Sequence, residues 1–281
     1  MTNQSDLGTM GSNIQRQPGT VNINTIINSL YLDRYAFTPF QSAIIIQQKE
    51  FPDVSFYQGR MDWAKFRSKT DAVIIRVGQN LWEDEQFDRN YSQAKLQEIL
   101  RGLYWFYDDR ITPRAQADKF FSIVGNNDLP EMEIWTDWEK TYGGRYSSIS
   151  HVVEFTACLE QYYPTCTVGT YSGYYWIREH SNPITNASQY RFLGDRPLWE
   201  AWYTDNPANV KIPLPWLSLL VWQKGTPVLD YGQETKEIDM NVINLTLEQF
   251  YQRYRNVPPP AHEPIHIVLT RGDDTLLDQE F

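Results

Sequence analysis

Basic clusters, cysteines and long apolar runs are all scarce in this chain, and each scarcity removes a class of function. Lys and Arg number 25 against 35 Asp and Glu, giving a formal charge of -10 and a pI near 4.9. A phosphate backbone is held by clustered cations, so nucleic acid is not an expected partner. The only cysteines are Cys158 and Cys166, in CLEQYYPTC. A bridge between them can be drawn, but without a secretion signal two reduced structural thiols are the expectation. Neither thiol has a His or Cys at metal-ligand spacing, and His151, His180, His262 and His266 show no spacing for a metal or a triad, so no metal and no cofactor is expected. No run approaches the roughly 18 apolar residues of a membrane span. The opening residues MTNQSDLGTMGSN lack the basic and apolar regions of a signal peptide, and export by that route is not expected.

What the chain has in quantity is aromatic: 10 Trp, 18 Tyr and 13 Phe in 281 residues, with a hydrophobic fraction of 41%. That is enough for a sizeable core and excludes a disordered chain. Most of these rings are expected in the core. A surplus of Trp and Tyr without positive charge also suits a ligand that is nearly neutral and has flat apolar faces, such as a sugar chain.

Residues 1–48 are polar, with one short helix suggested near INTIINSLYLDRY. From 49 to 257 strand and helix patterns alternate. DAVIIRVG reads as a buried strand. FDRNYSQAKLQEILRG has apolar residues at Phe87, Tyr91, Ala94, Leu96 and Ile99 and reads as a helix stopped by Gly102. LYWFYDD is the next strand. TPRAQADKFFSIVG opens on Thr112 as N-cap with Pro113 at the first helical position. MEIWTDWE, a helix over ISHVVEFTACLEQYY, TVGTYS, a short helix at YYWIREH and strands in PLWEAWY, LSLLVWQKG and KEIDMNV follow, with LTLEQFYQRY as a closing helix. This alternation implies parallel βαβ units, and their number suits one irregular TIM-like β/α barrel. Residues 258–281 are a Pro-rich linker and a short tail in which IHIVLT is a candidate for pairing.

In a strand, side chains alternate between faces, so Asp137 and Glu139 of EIWTDWEK project on one side and Trp138 on the other. Two acids sharing one small space are candidates for raised pKa values and for acid catalysis. Asp53 follows the first strand and Asp239 lies in the last, so four acids fall where a barrel carries its chemistry.

The pieces DVSFYQG with MDWAKFRS, DAVIIRVG, FDRNYSQAK, QADKFF, TDWE, GTYSGYYW, LWEAWY, VWQ and IDMN stand in the order and approximate spacing of the glycoside hydrolase family 25 lysozymes. These are the Chalaropsis-type muramidases, which include many phage endolysins. The resemblance covers about 50 to 255. It implies an irregular barrel of about eight strands with fewer helices, and cleavage of the β-1,4 bond between N-acetylmuramic acid and N-acetylglucosamine in peptidoglycan. Carried over, Glu139 would be the general acid and Asp137 would steady the substrate's acetamide, while Asp53 and Asp239 match the other two acids of the cleft. A donor to a glycosidic oxygen must keep its proton near neutral pH, which apolar surroundings and a neighbouring negative charge promote. Trp135, Trp138, Tyr142 and Asp137 are near Glu139 in sequence. Trp105, Tyr107, Tyr171, Trp202, Tyr203 and Trp222, with Gln223, are the candidates to hold sugar at the strand ends, about half of the rings being expected in the core.

Two departures stand out. Phe51 and Pro52 precede Asp53 where the family has Gly-x-Asp, and Trp105 occupies the histidine position of the family's Tyr-His-Phe, which would remove a polar group near the cleft. Plainer roles remain open: Asp137 and Glu139 as a surface pair with Lys140 or Arg145, Asp53 as a turn cap, Asp239 as a buried anchor. The resemblance further implies a phage endolysin in the host cytoplasm before lysis, or a lysozyme carried on a virion, with residues 1–48 docking to tail proteins. The contrasting expectation is a carbohydrate-binding or virion structural protein that keeps the barrel without turnover.

Overall fold

The computed structural model describes residues 48–141, 144, 146–255, 266–271 and 274–280. The polar extension, apart from Gln48, and the linker VPPPAHEP therefore lie outside the described residues, as do the helix suggested near INTIINSLYLDRY and His262. The strands are β1 (Gln48–Val54), β2 (Ala72–Gln79), β3 (Trp82–Glu83), β4 (Leu100–Phe106), β5 (Ile134–Asp137), β6 (Val168–Gly173), β7 (Leu198–Ala201), β8 (Val221–Gly225), β9 (Asp239–Thr246), β10 (His266–Arg271) and β11 (Asp274–Glu280). The helices are α1 (Trp63–Arg67), α2 (Phe87–Leu96), α3 (Pro113–Val124), α4 (Ile149–Tyr162), α5 (Tyr174–His180), α6 (Ala187–Gly194) and α7 (Leu247–Arg255).

Strand order runs β1-β9-β8-β7-β6-β5-β4-β2, and β1 also pairs with β2, so eight strands close into a barrel while β3 hangs on β2 as a hairpin. Closure leaves two apolar layers. Alternation along β2 sends Ala72 and Ile74 into the barrel with Phe51, Trp135, Trp199 and Ile243, while Val73, Ile75 and Val77 face the helices. Trp135 fills so much of the interior that its neighbour on β6 must be glycine: a Cβ on Gly169 would lie 2.4 Å from the Trp135 ring. Helix starts and stops follow the side chains. The Thr112 hydroxyl accepts from Ala115 N at 3.4 Å ahead of Pro113, and Gly125 ends α3 at φ 65°.

Two expectations change and one helix is added. Gly102 does not stop α2, which ends at Leu96; Glu98 turns the chain at φ 55°, and Gly102 lies inside β4, where a Cβ would sit 3.1 Å from Ile74. Leu96 is accordingly exposed at 71%, and Ile99 is buried ahead of the strand. The units are not all parallel, because β9 runs antiparallel to both β1 and β8. Finally, α6 carried no recognised signal in NASQYRFLG. IHIVLT supplies most of β10, whose antiparallel partner is β11.

The reversal of β9 places α7 at the end of the barrel opposite the mouth. There Phe250, fully buried, packs into the interior layer, a burial worth about 2 kcal/mol. Arg253 and Tyr254 bond to Glu133, and Arg255 pairs with Asp71 at 3.1 Å. Cys158 and Cys166 are free thiols, the first buried.

Candidate active site

The same reversal explains why an acid at the start of the last strand meets acids at the ends of the others. Asp239 opens β9 and lies directly opposite Asp53 of β1. Like charges directly opposite each other on paired strands are destabilising unless a proton or a donor intervenes. Donors do intervene at Asp53, whose Oδ2 accepts from Asn241 Nδ2 at 2.8 Å and Gln223 Nε2 at 2.9 Å. Gln223 is oriented in turn by Tyr171 and Tyr203, whose hydroxyls donate to its Oε1 at 2.8 and 3.3 Å. Asn241 is fixed by the Trp199 indole N–H at 2.7 Å.

Asp137 ends β5 beside Tyr171 of β6, and the Trp138 N–H continues the ladder by donating to Tyr171 O at 2.9 Å. The alternation expected from TDWE therefore holds past the end of the strand. Trp138 is fully buried toward the helices, its indole donating to Ser147 O at 2.9 Å. Asp137 and Glu139 turn into the same cavity as Asp53 and Asp239, a space of about 540 Å3. Asp137 Oδ1 and Asp239 Oδ1 have no hydrogen-bond partner among the described residues.

Burial raises all four acids. Asp53 moves to about 6, against the opposing effect of its Asn241 and Gln223 donors. Glu139 moves to about 7, through burial and the charge of Asp53, with Arg76 opposing. Asp239 moves to about 8, through burial and then the charges of Asp53 and Glu139. Asp137 rises through burial first and Glu139 second. The counter-charge is Arg76 of β2, buried among the Phe56, Trp82 and Phe106 rings at 5.5 to 5.6 Å and bonded to Gln79. Burial and mutual repulsion among the four acids therefore favour protonated forms at neutral pH, with Arg76 and Lys140 as the cations lining the cavity.

Of the other residues read from sequence, Tyr171, Tyr203 and Gln223 line the cavity. Trp105 and Tyr107 do not: both are fully buried under the helices, Trp105 donating to Gln116 Oε1 at 3.1 Å and Tyr107 packing 5.2 Å from Phe155. Trp222 is likewise buried on the outer side, its indole bonded to Trp202 O at 2.6 Å. The half-buried Trp202 stands on the rim outside the cavity. Strand parity decides these cases. On β4 it is Tyr104 and Phe106 that face the acids, so Trp105 takes no polar group out of the cleft. Phe51 is part of the interior layer.

The apolar surroundings of Glu139 are also not those nearest in sequence, since Trp135 fills the barrel and Trp138 the outer layer. They are Tyr104, Phe106, Tyr171 and Trp199. Tyr142 and Arg145 lie outside the described residues, and Lys140 makes no ion pair with either acid among the described residues. Arg76, Asn241, Tyr104 and Trp199 were not anticipated. Asn241 was within reach, standing two positions from Asp239 on the same strand face. Among the described residues no group of His, Cys, Asp and Glu is arranged to hold a metal ion.

The pattern of Glycosyl hydrolases family 25 matches residues 52–254. The fold is similar to a bacterial lysozyme from Streptomyces coelicolor, with a TM-score of 0.63 and 22% identity over 75% of this chain and 98% of that one. It is similar to a family GH25 lysozyme from Aspergillus fumigatus, at 0.59 and 20% over 74% and 99%. It is also similar to the spore cortex lytic enzyme SleM of Clostridium perfringens, at 0.60 and 20% over 83% and 76%. Curated proteins give no match. With the family pattern spanning the barrel from β1 to α7 and all four acids at its mouth, the chain belongs to glycosyl hydrolases family 25 and is a glycoside hydrolase.

Proposed function

We propose that the chain is an N-acetylmuramidase that cleaves the β-1,4 bond between N-acetylmuramic acid and N-acetylglucosamine of peptidoglycan. The observation that carries the reading is the convergence of Asp53, Asp137, Glu139 and Asp239 on one cavity lined by tyrosines. The names lysozyme and muramidase borne by similar structures point to the same polymer. In this reading Glu139 gives its proton to the bridging oxygen as the C–O bond breaks. The substrate's acetamide oxygen closes on the developing positive centre, steadied by Asp137. Water then opens that intermediate and returns a proton to Glu139, with retention of configuration. Asp53, whose Asn241 and Gln223 donors favour the ionised form, adds negative potential where positive charge develops, and Asp239 opposite it holds a proton.

Mass analysis of digested peptidoglycan tests the proposal. New ends at N-acetylmuramic acid, in the retained anomer, are expected; new ends at N-acetylglucosamine, or turnover confined to chitin, would refute it. Binding of the polymer without any new reducing ends would favour the carbohydrate-binding alternative.

The placement of Trp105 gives a second prediction. Trp105→Phe removes a buried hydrogen bond and a little volume, so stability should fall by about 1–2 kcal/mol. Because the ring faces the helices, the KM for glycan should not move. A raised KM at unchanged stability, measured by urea unfolding beside steady-state kinetics, would put that ring in the cleft.

A further inference from the structure

The rim of the barrel mouth carries an aromatic cluster separate from the four acids. Helix α5 starts at the mouth directly after β6, and the chain after β7 folds toward it. Between them Tyr174, Tyr175 and Trp202 cluster: Tyr175 stacks on Trp202 at 5.5 Å, and Tyr174 meets both rings edge-on at 5.3 and 5.5 Å. Two cations rest on this cluster. Lys211 Nζ lies 5.5 Å from the Trp202 centroid and 5.8 Å from that of Tyr174. The Arg178 guanidinium lies 5.4 Å from the Tyr174 centroid and donates to its hydroxyl at 3.2 Å.

Both cations are exposed, and neither has a carboxylate within ion-pair distance among the described residues. Arg101, Arg196 and Arg253, by contrast, each pair with an acid at 2.7 Å. The Trp202 ring is shared between Tyr175 and Lys211, which leaves less of it for a sugar face. What the cluster presents outward is positive charge, on a chain of formal charge -10 that otherwise repels anions. Cations held over rings are partly preorganised, which lowers the ordering cost of gripping a ligand.

The cluster adjoins the catalytic cavity. Trp202 N donates to Gln223 O at 3.1 Å, and the next residue, Tyr203, lines the cavity. A glycan lying across the four acids would bring its substituents to this rim. On peptidoglycan those substituents are peptide stems, joined through the lactyl group of the muramic acid and ending in carboxylates. An anion tethered to the polymer in the cleft arrives at high effective concentration, unlike one carried on a separate polymer. We infer that Lys211 and Arg178, held on the Tyr174 and Trp202 rings, form a rim site for a carboxylate of the peptide stem on the glycan being cleaved. The inference rests on the muramidase reading and adds the substituent that the enzyme prefers.

The test compares the full chain with its K211Q/R178Q variant on four soluble peptidoglycan preparations: stems intact, stem carboxylates amidated, stems removed, and stems amidated with a phosphate-bearing wall polymer still attached. The unmutated protein should show its lowest KM on intact stems. The double variant should raise that KM about three- to tenfold, as for two exposed charge contacts, with kcat unchanged and the other three preparations unaffected. Lys211→Arg, which keeps the charge, should keep the low KM. An equal change on all preparations, no change on any, or a change that follows the phosphate polymer would overturn the inference and leave the muramidase reading standing. No cleavage of any preparation by the unmutated protein would sink both.

Discussion

Glu139→Gln is expected to lower kcat on peptidoglycan by a factor of about a hundred or more, with little change in KM. The size follows from the loss of the proposed general acid, a role that contributes roughly a hundred- to ten-thousandfold. The substitution keeps the shape of the side chain and its place in the cavity while removing the transferable proton. It also removes a half-buried acid whose pKa is raised to about 7, from the usual 4.5, first by desolvation. An acid raised in the folded state costs stability as pH climbs above its unfolded value, because only the unfolded chain gains by ionising. The variant should therefore be at least as stable as the parent at neutral pH, so lost activity will not be lost fold.

The pH profile has a definite sign. With Glu139 as the proposed proton donor, kcat/KM should fall as pH rises through about 7. Reducing-end release over a pH series, with melting curves of both proteins, decides the matter. A variant retaining a third of the activity, or a parent whose rate keeps rising beyond pH 8, would remove Glu139 from its role.

The second large effect concerns an acid that does not line the cavity. Glu200 of β7 is fully buried, and neither of its oxygens makes a well-formed hydrogen bond among the described residues, although the Tyr174 backbone N–H is near enough to act on its charge. Its neighbours Trp199 and Ala201 belong to the barrel interior, so alternation turns Glu200 to the helix side, between Ser172 and Trp222 on the adjacent strands. Burial pushes its pKa up to about 9, offset only in part by the Tyr174 backbone N–H. Below about pH 4.5 both folded and unfolded chains hold the proton. Between there and about 9 only the unfolded chain releases it, so stability falls as pH rises.

At pH 7 that cost is about 3 kcal/mol, from roughly 2.5 units at 1.36 kcal/mol each. Glu200→Gln, of nearly the same volume and never charged, should recover most of it. Urea unfolding should show the variant more stable at pH 7 and equal to the parent near pH 4.5. An equal difference at both values would mean that the carboxyl is ionised in the fold or that the effect is one of packing.

The sequence carried the barrel because its signals are local. Thr112 and Pro113 open a helix and Gly125 closes it whatever lies around them, and the run AVIIRVG needs cover on both faces. The acids were legible for a related reason: alternation along TDWE puts Asp137 and Glu139 on one side of any extended chain, and both were found there. Where local rules competed, they misled. Gly102 looked like a helix stop, but a close approach to Ile74 inside β4 explains it better.

The aromatics show the limit most clearly. Tyr104, Trp105 and Phe106 are consecutive and alike in chemistry, yet two face the acids and one faces the helices. Which parity points inward depends on the register of β4 against β2 and β5, a property of pairing and not of the residues themselves. The direction of β9 was hidden in the same way. Composition cannot tell a parallel last strand from an antiparallel one, but only the antiparallel one brings Asp239 to Asp53 and sends α7 to the far end. The amino-acid order by itself thus determined which elements form and which side chains share a face. The closing of the sheet decided which faces meet, because strand direction and register are settled by contacts between segments nearly 200 positions apart, as in the Asp53 and Asn241 pair.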